Sequence, residues 1–186
     1  MLKSLAFRVR ALSFLVAGLS LLSAPLAQAR DGVAFEYGHG NHTDMGRVAY
    51  TRDWSEPLYE TGSLSLGGYW DASLGFWNPH STDGNNHQVT DIALTPVFRI
   101  TQKVRSTLAP YAEAAVGAHL LSTHSIYNKR NMSSNYQFGD HVALGVSFGD
   151  QLQWDVAARL QHLSNAGIIN PNPGINFYQV RVDYHF

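Results

Sequence analysis

From Leu64 onward the side chains alternate in character. Leu64, Leu66, Gly68, Trp70, Ala72, Leu74 and Phe76 hold the even positions, and Ser65, Gly67, Tyr69, Asp71, Ser73 and Gly75 the odd ones. Successive side chains of a β-strand point to opposite faces, so period two marks a strand with one apolar face. The pattern returns in Ile92, Leu94, Phe98 and Ile100, in Ala112, Ala114, Val116, Ala118 and Leu120, and in Val142, Leu144, Val146 and Phe148. Leu152, Trp154, Val156, Ala158 and Leu160 form a seventh segment, and Tyr178, Val180, Val182, Tyr184 and Phe186 an eighth. Shorter versions, Val33-Phe35-Tyr37 and Val48-Tyr50, come first in the chain. The spacing leaves room for strands of roughly 9 to 11 residues, the length that crosses a bilayer at a tilt.

The opposite faces decide what such strands build. Glu36, Asp71, Asp91, Glu113, Asp155 and Asp183 share them with Arg47, Arg99, Arg159 and Arg181. Charges of both signs can pair inside a small barrel while the apolar faces meet lipid, and closure leaves no unpaired strand edge in hydrocarbon. That partition explains a chain that is 45% hydrophobic and 15% charged yet has no apolar run of about 18 residues beyond residue 30, the length a helical span needs. The expected fold is all-β, an eight-stranded antiparallel transmembrane β-barrel over residues 30–186. A two-layer sandwich or a soluble lipid-binding barrel would share the period. The terminal Phe186, ending an alternating aromatic strand, weighs against both, because it resembles the C-terminal signal of bacterial outer-membrane barrels.

Lys3, Arg8 and Arg10 precede an apolar stretch from Ala11 to Leu22, followed by Pro25 and Ala27-Gln28-Ala29. A basic start, a short apolar middle and a small-residue cleavage site make a secretory signal peptide, so residues 1–29 are expected to be a cleaved leader. The chain has no cysteine, which excludes a disulfide framework and any thiolate metal site. A formal net charge of -1, with no clustered basic excess, argues against a nucleic-acid partner.

Gly149-Asp150-Gln151 reads as a tight turn, whereas 78–88, 122–137 and 165–174 read as long polar loops. Outer-membrane barrels keep short turns on the periplasmic side and longer loops outside, so the seventh strand runs outward and the eighth returns. Trp54, Tyr59, Trp70, Phe76, Trp77 and Trp154 suit the aromatic belts at the membrane interfaces. Past Leu160 the outward series of the seventh strand continues with His162 and Ser164, polar residues where apolar ones are due. Two apart on a strand, they share a face, and an imidazole that takes the proton of a serine hydroxyl creates an activated nucleophile. Counting back from Phe186, the outward position before Tyr178 is Asn176, at the outer start of the adjoining strand. A hydrolase facing outward into a membrane has a lipid of the outer leaflet as its obvious substrate.

The segment from His162 through Ser164-Asn165-Ala166-Gly167 to Asn170-Pro171-Asn172-Pro173-Gly174, followed by a tyrosine-containing strand, resembles the PagL family of outer-membrane lipid A 3-O-deacylases. The specific likeness covers residues 162–186, and the upstream barrel agrees in size and pattern. The resemblance implies hydrolysis of the hydroxyacyl chain esterified at position 3 of lipid A. Lipopolysaccharide would be the substrate and outer-membrane lipids the surroundings, with no cofactor or metal required; a homodimer stays open. It implies Ser164 as nucleophile and His162 as general base. The family's histidine-orienting glutamate falls at position 176, where this chain has Asn176. An asparagine carbonyl still accepts a hydrogen bond from the imidazole and holds its tautomer, but it cannot offset the imidazolium charge. No acid lies between residues 165 and 177 to replace it.

Candidate oxyanion donors are the backbone N–H groups from Asn165 to Gly167 and the amides of Asn165 and Asn172. Asn165, Asn172, Pro171, Pro173 and Gly174 also suit the turn chemistry of a loop. Lys129 and Arg130 suit either lipid A phosphates or a solvated loop. His39, His42 and Asp44, or His80, Asp83 and His87, offer metal-ligand chemistry, although such loop clusters are more often simply solvated. Two other functions fit a small barrel: a non-enzymatic adhesin or membrane-stabilising protein, and an outer-membrane phospholipase or acyltransferase.

Overall fold

Eight long strands are linked edge to edge into a closed antiparallel barrel in the computed structural model, which describes residues 30–103 and 107–186. They are β1 (Asp31–Gly40), β2 (Thr43–Asp53), β4 (Leu64–Pro79), β5 (Val89–Gln102), β6 (Leu108–Leu121), β9 (Tyr136–Phe148), β10 (Trp154–Ser164) and β11 (Ile175–His185). Three short strands decorate the ends: β3 (Tyr59–Thr61), β7 (Ser125–Tyr127) and β8 (Arg130–Asn131). Closure comes from β1 pairing with β11 and β2 pairing with β4. The expected leader, residues 1–29, lies outside the described residues.

Alternation sorts the side chains as period two requires. Leu144 is 71% exposed while its neighbour Ala143 is 5% exposed. Phe35, Ile92, Leu160, Tyr178 and Val180 likewise stand on the outer face. Inside, every one of the ten charged residues expected there is buried or nearly so and ion-paired. Glu36 is the hub: Arg47 donates to it at 3.1 Å, Arg159 at 2.5 Å and Arg181 at 2.6 Å. Arg181 also reaches Asp71 and Asp183, and Arg99 joins Glu113 and Asp155, each near 2.7 Å. Desolvated charges of this kind add little net stability over a well-packed apolar core, yet removing one partner strands the others at high cost.

Toward the outer end the interior turns apolar. Met45, Trp77, Val89, Leu121, Leu163, Ile175 and Phe177 point inward from the strands, and Ile126, Tyr127 and Met132 descend on them from the β7–β8 hairpin. This plug corrects one expectation: Trp77 is not an interfacial belt residue but is buried at 1% exposure against Phe177, with ring centroids 5.1 Å apart. Two boundaries also differ. Leu152 sits in the turn before β10 with φ +52°, so the strand begins at Trp154. The outer connection between β1 and β2 is only Asn41-His42, both at positive φ (48° and 57°), the geometry of a two-residue hairpin turn.

Candidate active site

The end of β10 is fixed by what its inward side chains do. Gln161 faces the barrel interior and accepts hydrogen bonds from Arg47 at 3.1 Å and Gln179 at 2.8 Å, and Leu163 is fully buried in the plug. Pleating then obliges His162 and Ser164 to face outward. His162 lies between Asp140 of β9 and Asn176 of β11 in the strand register. Its Nδ1–H donates to Asn176 Oδ1 at 2.6 Å. Because that oxygen only accepts, the bond places the ring proton on Nδ1 and leaves Nε2 as the basic nitrogen. Ser164 is half-buried at the last position of the strand, and among the described residues its hydroxyl is hydrogen-bonded to neither His162 nor Asn176. Two residues apart on a strand, the serine and the imidazole can meet through side-chain rotation, and such contacts commonly tighten only with substrate bound.

The loop after β10 supports this end of the strand. Asn165 is buried and donates its side-chain amide to the carbonyls of Met132 at 3.0 Å and Ile169 at 2.9 Å. Its backbone N–H donates to Asn172 Oδ1 at 3.2 Å. The donors of Asn165 are thus spent inside the loop. The N–H groups of Ala166 and Gly167, and the Asn172 amide nitrogen, have no hydrogen-bond partner among the described residues. Ala166 and Gly167 both adopt positive φ, 54° and 75°.

Three contacts at the site join segments far apart in the chain, and the period of the sequence does not reveal them. Gly174, at φ +61°, lies against the His162 ring so closely that a Cβ there would come within 2.5 Å of Cε1. Arg130 donates to the Gly174 carbonyl and, at 2.8 Å, to the Tyr127 hydroxyl. Asn41 Oδ1, in the β1–β2 turn, accepts the Asn176 backbone N–H at 2.7 Å. Arg130 is therefore engaged in holding the loop. Lys129 pairs with Asp83 at 2.6 Å, and this hydrogen bond holds the Asp83 carboxyl below the usual carboxylate range.

On the lipid-facing surface a groove of about 620 Å³ runs from Phe98 across Ala114, Val142 and Leu160 to His162 and Asn176. It forms where the small Ala114 lies between the larger Phe98 and Val142 of the neighbouring strands. The histidine clusters regroup relative to expectation. His39 bonds Asp44 at 2.7 Å and His80 approaches the same carboxylate at 3.6 Å, whereas His42 packs edge-on against Tyr127. His39, Asp44 and His80 have the donor types to hold a metal ion, with ligand atoms within 4.8 Å of one another. At 2.7 Å, the first pair is a hydrogen bond rather than a gap shaped for an ion.

These features define an integral β-barrel with a histidine and a serine on the lipid-facing side of its outer rim. The family model for lipid A 3-O-deacylase (PagL) matches residues 44–185. The lipid A deacylase PagL of Bordetella bronchiseptica is 31% identical over 178 residues, covering 90% of each chain. That of Pseudomonas aeruginosa is 28% identical over 165 residues, covering 89% of this chain and 91% of the relative. A crystal structure of the outer membrane enzyme PagL superposes with a TM-score of 0.71 at 25% identity, covering 82% of this chain and 98% of that one. The chain belongs to the lipid A 3-O-deacylase (PagL) family, the outer-membrane enzymes that hydrolyse an ester-linked acyl chain of lipid A.

Proposed function

We propose that this deacylase works as a serine esterase, with Ser164 as nucleophile, His162 as general base and Asn176 as the group that orients the ring. The observation that carries the reading is the 2.6 Å bond from His162 Nδ1–H to Asn176, made on the outward face beside Ser164 and at the end of an apolar groove. A lipid held in the outer leaflet would lay its acyl chain along Leu160 and Val142 and bring its ester to the rim. Ser164 gives its proton to His162 Nε2 as its Oγ attacks the ester carbonyl carbon. The tetrahedral oxyanion is met by the N–H groups of Ala166 and Gly167, with the Asn172 amide in support. Collapse breaks the bond to the sugar 3-oxygen, which takes the proton from the imidazolium and leaves an acyl-serine. Water, deprotonated by the same nitrogen, then releases the hydroxy fatty acid and restores Ser164.

The test is lipid A mass spectrometry with wild type and Ser164→Ala side by side. Loss of one 3-O-acyl mass with wild type only is expected. An active Ser164→Ala variant refutes the serine mechanism. Residues 1–29 are proposed to be removed on export, which N-terminal sequencing of protein from the membrane would read as a start at Arg30.

A further inference from the structure

The site as described lacks a negative charge. Attack by Ser164 turns His162 into an imidazolium, and its hydrogen-bond partner Asn176 is neutral. Arg130 of β8, which reaches the loop, has the wrong sign and is tied to the Gly174 carbonyl. Tyr178 of β11 borders the same groove and carries no carboxylate.

On the other flank stands Asp140. It faces outward from β9, directly across from His162 in the β9–β10 register, and borders the same groove as His162 and Asn176. Its neighbours on that face are Phe138 and Val142. Among the described residues it makes no hydrogen bond or ion pair, unlike the interior carboxylates, which are held by arginines, and unlike Asp44, the outward carboxylate held by His39. A carboxylate on the lipid side of a barrel is costly unless something charged meets it there.

We propose that Asp140 supplies the charge that Asn176 cannot, so that the two duties of a triad acid are divided between the strands flanking β10. Asn176 fixes the tautomer and the ring plane. Asp140 takes no proton from the ring and offsets the imidazolium while the proton travels from Ser164 Oγ to His162 Nε2 and on to the leaving alkoxide. The assignment rests on the Ser164–His162 reading above. Asp140 acts through His162 and is a positioning residue in that sense.

The experiment measures kcat and KM on lipid A for wild type, Ser164→Ala, Asp140→Asn, Asp140→Glu and the double variant Asp140→Asn/Asn176→Glu, each first checked for barrel folding by far-UV circular dichroism. A carboxylate acting on an imidazolium from about 6 Å, at an effective dielectric near 20, changes a rate by roughly 100-fold. Asp140→Asn should therefore lose about 100-fold in kcat with KM unchanged, and Asp140→Glu should stay within about fivefold of wild type. The double variant should regain about tenfold or more over Asp140→Asn, because the new carboxylate reaches the ring from β11. A folded Asp140→Asn with wild-type kcat, a change confined to KM, or a double variant no better than Asp140→Asn overturns the assignment and leaves the serine mechanism standing. An active Ser164→Ala overturns both.

Discussion

Gly174 offers a direct probe of how tightly the His162 ring is held. In Gly174→Ala the new Cβ would lie 2.5 Å from His162 Cε1, 3.0 Å from Nε2 and 3.1 Å from the Leu163 carbonyl. The carbonyl belongs to a strand paired on both sides, so the imidazole is what yields. Restoring ordinary contact requires a retreat of about 1 Å, and a misplacement of that size costs roughly 100-fold in rate, or about 2.7 kcal/mol of barrier. The same movement stretches the 2.6 Å bond to Asn176 beyond useful hydrogen-bond length. Alanine at φ +61° adds about 1 kcal/mol of backbone strain, too little to unfold the barrel. Release of free hydroxy fatty acid from lipid A, followed under saturating substrate, reads kcat. Circular dichroism confirms the fold. A folded Gly174→Ala with kcat within about threefold of wild type refutes the view that this glycine seats the ring.

Two further outcomes test the barrel itself. Glu36→Gln leaves Arg47, Arg159 and Arg181 without their shared carboxylate and should destabilise the folded barrel by about 3–5 kcal/mol; an unchanged midpoint of urea unfolding in lipid would contradict the network's role. Leu144→Arg, at an outward position 71% exposed, should cost about 2–4 kcal/mol in a bilayer, and an unchanged stability there would show that the residue does not face lipid.

Parity along the strands made most of the fold legible before any coordinates. The ten interior charges, the outward aliphatic faces and the outward placement of His162 and Asn176 all follow from counting by twos. Trp77 shows what happens when parity is set aside: it is odd in a series whose even members face out, so the count puts it inside, while aromatic character alone suggests a belt. Asp140 lies on the even, outward series of β9, two residues before Val142. A pattern started at its first aliphatic residue stops short of it, although the rule that singles out His162, a polar group on a lipid-facing face, applies to it equally. What no period reports is contact between distant loops. Asn41 meets Asn176 across 135 residues of sequence, and Arg130 meets Gly174 across 44. The Arg130 contact is set by the way the β7–β8 hairpin folds over the barrel mouth, which depends on packing among Ile126, Met132, Leu163 and Ile175, and the Asn41 contact by the β1–β2 turn just beyond the His39–Tyr178 pair.

The plug under that hairpin has a consequence for the cell. Side chains that exclude water from the outer half of the barrel, above a lower half crossed by paired charges, leave no route for ions or small solutes through its interior. Copies in the outer membrane then add no conducting path across it, and planar-bilayer recordings of the purified protein should show no open-channel current.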